Sequence, residues 1–255
     1  MTAELAGGDA ELEVVGRIRV ASNATFRARI DDVDVVYKPV AGERPLWDFP
    51  DGTLAAREVA AYLVSEATGW HLVPRTWLRD GPLGVGMVQL WQDEDPAQSP
   101  VDLVPVRSVP AGCRAVLTGL DGDDRPVALV HEDSPALRRM AVFDAIVNNA
   151  DRKGGHVLPL ADGRRLGVDH GVTFHVEPKL RTVLWGWLGE SLDAGERDGI
   201  ARVRAGLDAD LGRALAPLLT PDELEALADR CDSLLTDGRF PAHHGDMPAV
   251  PWPLF

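Results

Sequence analysis

The chain has 255 residues, 45% of them hydrophobic, with 26 Lys+Arg against 40 Asp+Glu and a formal net charge of −14. That is enough apolar material for a substantial core, which excludes a disordered chain, and at this length one domain of two lobes or two small domains is expected. The negative surplus repels phosphate backbones and anionic membrane surfaces over a Debye length, which argues against nucleic-acid binding and surface attachment to lipid.

The first residues, MTAELAGGDAELEVV, place Glu4, Asp9, Glu11 and Glu13 where a secretory signal carries basic residues and then an apolar run. Alternating patterns follow in ELEVVGRIRV, ATFRARI and VDVVYKPV, with Asp31 and Asp32 available to turn, so an antiparallel meander is expected. After a turn-rich stretch over 41–52, Thr53 is placed to cap a helix over 53–68 that stops at Gly69 and presents Ala55, Val59, Tyr62 and Leu63 on one face. Strands at 74–79 and 85–91, joined at Asp80-Gly81-Pro82, complete a strand-rich first lobe of residues 1–93 with one helix.

Residues 92–112 read as a lobe connection or an exposed loop. A helix over 135–147 leads to NNADRKGGH; then HVLPLADGRRLGVDHG forms a strand, an Asp162-Gly163 turn and a strand; helical segments near 190–215 and 221–236 precede an irregular, Pro-rich end. The second lobe thus spans 94–255 and is mostly helical, making the fold class α+β. No stretch approaches ~18 uninterrupted apolar residues, so no integral membrane association is expected. Cys113 and Cys231, far apart and outside any Cys-x-x-Cys, suit a reducing, cytoplasmic setting.

The chemistry concentrates between 148 and 174. A helix ends in a polar loop with a candidate base, Asp151, and a hairpin later a second carboxylate, Asp169, stands beside a glycine and a histidine. Phosphoryl transfer needs this pairing: one carboxylate orients a hydroxyl nucleophile, while another, with a neutral partner such as His156, holds a divalent cation on the phosphates. NNADRKGGHVL and GVDHGVTF resemble the catalytic loop and metal-binding segment of the phosphatidylinositol 3- and 4-kinase superfamily, N-T-D-R-x-x-x-N and I-D-x-G-x-x-F, and the chain is similar to the small actinobacterial proteins related to those kinases. The resemblance runs from about residue 14 to 190.

It implies a two-lobed protein-kinase-like fold and an ATP- and magnesium-dependent phosphotransferase acting on a protein or small-molecule hydroxyl. By the same resemblance, Lys38 binds phosphate oxygens, Glu58 orients it, Ser22, Asn23 and Thr25 cover the nucleotide, and Gln89 and Leu90 meet adenine at the hinge. Asp151 serves as catalytic base, Arg152 steadies the loop with Asp144 tying it down, and Asp169 ligates the metal. His156 stands where the family has asparagine; a nitrogen donor favours manganese over magnesium, weaker binding, or an inactive nucleotide-binding module. Transfer of AMP on the same fold is the other alternative; basic residues deep in the pocket would mark it, and the sequence offers no clear set.

Blander readings apply elsewhere. GPLGVG at 81–86 lacks Gly-Lys-Ser/Thr and a following helix, so it is a hairpin turn. LDGDDRP lacks the downstream glutamate of a calcium loop and reads as a solvated turn. His170 caps a turn or assists the site; His243, His244 and Asp246 belong to an exposed or docking segment; Trp185 and Trp187 pack in the core or flank a groove.

Overall fold

A computed structural model describes residues 10–18, 23–44, 46–49, 54–243 and 248–255. The expected meander is present: β1 (Leu12–Arg17), β2 (Phe26–Ile30) and β3 (Val33–Pro39) pair antiparallel, with Phe26 opposite Tyr37 and Ile30 opposite Val33. Next to β3 lies β5 (Gly84–Leu90), and β4 (Thr76–Gly81) closes the edge, giving a five-stranded sheet of order β1-β2-β3-β5-β4. The alternation works as read: Ala28, Ile30, Val35, Tyr37 and Val88 share a small core on one face.

The helix α1 (Leu54–Thr68) is rich in alanine and stops at Gly69, whose φ of 71° needs no Cβ. Thr53, the expected cap, lies outside the described residues. The Glu43 carboxylate accepts from the Leu54 and Ala55 N–H groups at 3.0 and 2.8 Å, placing negative charge where the helix dipole favours it. The single buried face expected for α1 understates its burial. Arg57 and Glu58 are also buried, because the helix lies between the β4–β5 hairpin and α3 (Ala194–Leu207) with α4 (Asp210–Leu215).

Beyond Leu90 the structure differs from the expected connection. Residues 101–132 form a three-stranded antiparallel sheet of order β6-β8-β7, from β6 (Val101–Pro105), β7 (Cys113–Leu120) and β8 (Pro126–Glu132). Then α2 (Pro135–Ile146) opens with a Ser134 cap and a proline in its first turn and runs through the main core. It is followed by the short hairpin of β9 (Val157–Pro159) and β10 (Arg165–Gly167), with α5 (Pro221–Asp237) packed against α2 and α3. Trp187 is fully buried in the core, and the LDGDDRP stretch is the β7–β8 turn. Among the described residues, no helix is long and apolar enough to cross a membrane.

Candidate functional site

The site lies where the first sheet and α1 face the loop after α2. A cavity of about 450 Å³ is lined by Asn23, Thr25, Lys38, Glu58, Asp151 and Asp169, among others. Six of the expected residues, spread from 23 to 169 in the chain, therefore share one wall-to-wall space. A larger groove of about 980 Å³ runs along α5 and residues 239–242 and contains none of them.

Each side chain is delivered by its own element. Lys38 points from β3 to α1, where its Nζ lies 2.7 Å from Glu58 Oε1, and it also contacts Asp169 Oδ1. The second Glu58 oxygen accepts from the His170 backbone N–H at 2.9 Å. Burial works against the Lys38 charge, but the two carboxylates outweigh it and hold its pKa above the ordinary lysine value. The Lys38 ammonium in turn drives Asp169 well below the usual carboxylate range. Asp169 adopts a left-handed conformation, φ 63°, which aspartate tolerates better than most residues, and its side chain remains 48% exposed.

The loop after α2 is fixed from beneath. Arg152 and Asp144 are both fully buried, their ion pair measures 2.8 Å, and Arg152 also donates to the His156 and Val168 carbonyls at 3.1 and 3.2 Å. Arg152 therefore positions the loop and does not face the cavity. Asn149 links the pair upward: its amide donates to Asp144 Oδ1 at 2.9 Å, and its oxygen accepts from the Asp151 N–H at 3.0 Å. His170 Nε2 accepts from Arg152 at 2.6 Å, while burial pushes its pKa far down, so it is a neutral packing partner inside this network.

Asp151 lies above the network with Lys153 Nζ at 3.0 Å from Oδ2. Burial raises its pKa above the usual carboxylate value despite the opposing pull of Lys153, which strengthens it as a proton acceptor. His156 Nε2 lies 3.3 Å from Asp169 Oδ2, and burial lowers its pKa to about 4, so the ring is neutral. Asp169 and His156 fit a divalent cation shared with phosphate oxygens. They do not make a protein-only cage, and among the described residues no group of three His, Cys, Asp or Glu is placed to hold a metal.

Two expected contacts are not brought to the cavity. The Gln89 amide is buried and donates to Thr76 Oγ1 at 2.8 Å, and the Leu90 N–H donates to the Arg75 carbonyl at 3.0 Å. The reason is topological: β5 lies between β3 and β4, so both of its edges are paired up to Leu90. Even the Trp91 N–H is used, by the Asp34 carbonyl at 3.1 Å. Ser22 lies outside the described residues, as do His244 and Asp246.

The sequence reading missed several members of the site. Arg44 and Arg181 line the cavity, and the Arg181 charge pulls against the burial that raises the Asp151 pKa. Arg181 lies beside Asp151 because residues 181–183 pair in parallel with the loop, the Arg152 N–H donating to the Arg181 carbonyl at 3.0 Å.

The fold is protein-kinase-like. The structure is similar to that of the golgi casein kinase, with a TM-score of 0.56 and 13% identity over 92% of this chain and 72% of that one. It is also similar to the Helicobacter pylori proinflammatory kinase CtkA, with a TM-score of 0.50 and 12% identity over 91% and 94%. No family model matches the chain. Protein Rv2133c of Mycobacterium tuberculosis is 50% identical over 260 residues, which cover 97% of this chain and 93% of that protein; the chain belongs to the family of Rv2133c.

Proposed function

We propose that the chain is an ATP- and divalent-metal-dependent phosphotransferase that moves the γ-phosphoryl group to a hydroxyl on a protein or small molecule. The observation that carries this reading is the convergence of Lys38, Glu58, Asp151 and Asp169 on one cavity from four separate elements. Residues 1–93 serve as the nucleotide-binding lobe and 94–255 as the catalytic lobe. The order of NNADRKGGH, the β9–β10 hairpin and GVDHG supports kinship with the phosphatidylinositol 3- and 4-kinases. The absence of a basic run after Asp169 argues against an inositol-lipid acceptor: His170 is fully buried and Lys179 pairs with Asp48 at 3.0 Å. Two free cysteines are consistent with cytoplasmic action.

In this mechanism Lys38, held by Glu58, binds phosphate oxygens of the donor. Asp151 orients the acceptor hydroxyl and takes its proton as the oxygen bonds to the γ-phosphorus and the bond to the β-phosphate oxygen breaks, releasing ADP. Asp169 and His156 would hold a magnesium or manganese ion, which would supply charge neutralisation at the phosphates. Asn23 and Thr25 cover the phosphate end, and Arg152 keeps Asp151 in place without touching substrate.

Arg44 and Arg181 favour a second reading, because guanidinium groups lining the same cavity also suit the outer phosphate of an ATP bound in reverse, with AMP transferred. The test is incubation with ATP labelled at the γ- or the α-phosphate, with magnesium or manganese, and protein and metabolite pools as acceptors. Transfer of the γ-label, lost in Asp151→Asn while ATP still raises the melting temperature, supports phosphoryl transfer. Transfer of the α-label replaces it with AMP transfer, and ATP binding with neither label transferred makes the chain a nucleotide-binding module.

A further inference from the structure

In the sequence, Gly154-Gly155 looks like a source of loop freedom. At Gly154 the structure gives the missing side chain a different use: a Cβ there would lie 2.6 Å from Phe255 Cδ1 and closer still to Cε1. The Phe255 ring edge therefore fills the space that a side chain at 154 would need. Beside it, the Gly154 N–H donates to the Leu254 carbonyl at 2.8 Å, and Leu254 is buried in the main core.

The same segment holds the strand that pairs with the loop. Ala249 O accepts from the Thr182 N–H at 3.1 Å and from Trp185 Nε1 at 2.8 Å. Arg181 donates to the Pro248 and Val250 carbonyls at 3.0 and 3.2 Å. Residues 181–183 in turn bracket Arg152, since the Val183 N–H donates to the Arg152 carbonyl at 3.1 Å. Residues 248–255 thus grip the loop directly at Gly154 and indirectly through Arg181 and Thr182. The turn over Gly154–His156 is a single three-residue 3-10 turn, closed by the His156 N–H to the Lys153 carbonyl at 3.2 Å and the Val157 N–H to the Gly154 carbonyl, and the strap adds the bond from the Gly154 N–H outward to Leu254.

We propose that residues 248–255 are a strap that positions the loop bearing Asp151, Lys153 and His156, with Leu254, Phe255 and Gly154 as positioning residues. Its catalytic consequence rests on the phosphotransferase reading; its effect on the loop does not. A loop displaced by an ångström misplaces both the base and the metal partner, a change that costs up to about a hundredfold in turnover.

The experiment compares Gly154→Ala, Phe255→Ala and the double variant in the full chain, by kcat, nucleotide KM and amide hydrogen exchange. Gly154→Ala drives the loop off the ring: kcat falls by about a hundredfold, more than KM changes, and exchange at 151–156 quickens while the five-stranded sheet stays protected. Phe255→Ala, which introduces no clash, quickens exchange at 153–156 by removing the prop. The double variant, with room for the new methyl, recovers turnover and protection relative to Gly154→Ala. Wild-type exchange at 151–156 in both single variants overturns the strap, as does a double variant no better than Gly154→Ala. If the unaltered chain transfers no label, the phosphotransferase reading falls, and exchange alone decides the strap by the same criteria.

Discussion

Replacing Asp144 with asparagine probes the foundation of the site without touching the cavity. Both Asp144 and Arg152 are fully buried, and Asp144 accepts from Arg152 Nε and NH2, from the Asn149 amide at 2.9 Å and from Thr182 Oγ1 at 3.4 Å. Asparagine has nearly the same shape but leaves the guanidinium in the core with no counter-charge. Breaking a buried pair from one side costs about 3–5 kcal/mol, most of it the penalty of the stranded charge. For a chain of this size that is a loss of about 10 °C in melting temperature, measured by calorimetry and checked by a lower urea midpoint at unchanged slope. The combination Asp144→Leu with Arg152→Met strands no charge and recovers most of the stability. It does not recover transfer, because the Arg152 bonds to the His156 and Val168 carbonyls are still missing. A melting temperature within about 2 °C of wild type for Asp144→Asn refutes the view that this pair holds the loop.

On the phosphotransferase reading, His156→Asn replaces a neutral nitrogen donor with an amide oxygen beside Asp169 and raises magnesium-supported activity relative to manganese; an unchanged ratio removes His156 from the proposed metal site. His131 is fully buried as a neutral ring, Nδ1 to the Glu132 carbonyl at 2.9 Å and Nε2 accepting from the Gly186 N–H at 3.0 Å, and burial lowers its pKa below the ordinary 6.5. The unfolded chain therefore binds its proton first, so this stability is present above pH 6.5 and is lost as pH falls toward the folded value; denaturant titrations of His131→Gln show a shallower loss across that window.

The parts of the fold that could be read in advance are those whose cause is local. Alternation in VDVVYKPV marks β3 because Val35 and Tyr37 enter the core while Val36 and Lys38 remain only half-buried. Ser134 followed by proline marks the start of α2, and Asp162-Gly163 the hairpin turn, each through its own backbone preferences. The sheet over 101–132 escaped for the converse reason. β7 has no fully buried residue and β6 exposes Leu103, so neither shows one apolar face; the deep burial in this sheet falls on Ala128–His131 of β8 and on Val101 at the start of β6. Likewise Glu43 caps a helix eleven residues ahead, a contact no local pattern announces.

The site divides along the same line. That Lys38, Glu58, Asp151 and Asp169 share one cavity was legible because the resemblance rests on particular side chains in a particular order. The engagement of Gln89 and Leu90 within the sheet was not, because whether a backbone is free depends on which strand pairs at each edge. With β4 on one side of it and β3 on the other, β5 has no donors to spare until it leaves the sheet. Residues 248–255 illustrate the point more strongly still. They hold Arg181, Thr182, Trp185 and Gly154 almost entirely through carbonyl oxygens, which every residue possesses. The only trace that such a grip leaves in the sequence is at the receiving end, in the glycine that makes room for Phe255. Side-chain chemistry marks the candidate site, but the glycine at 154 has to be interpreted through what occupies the space it leaves.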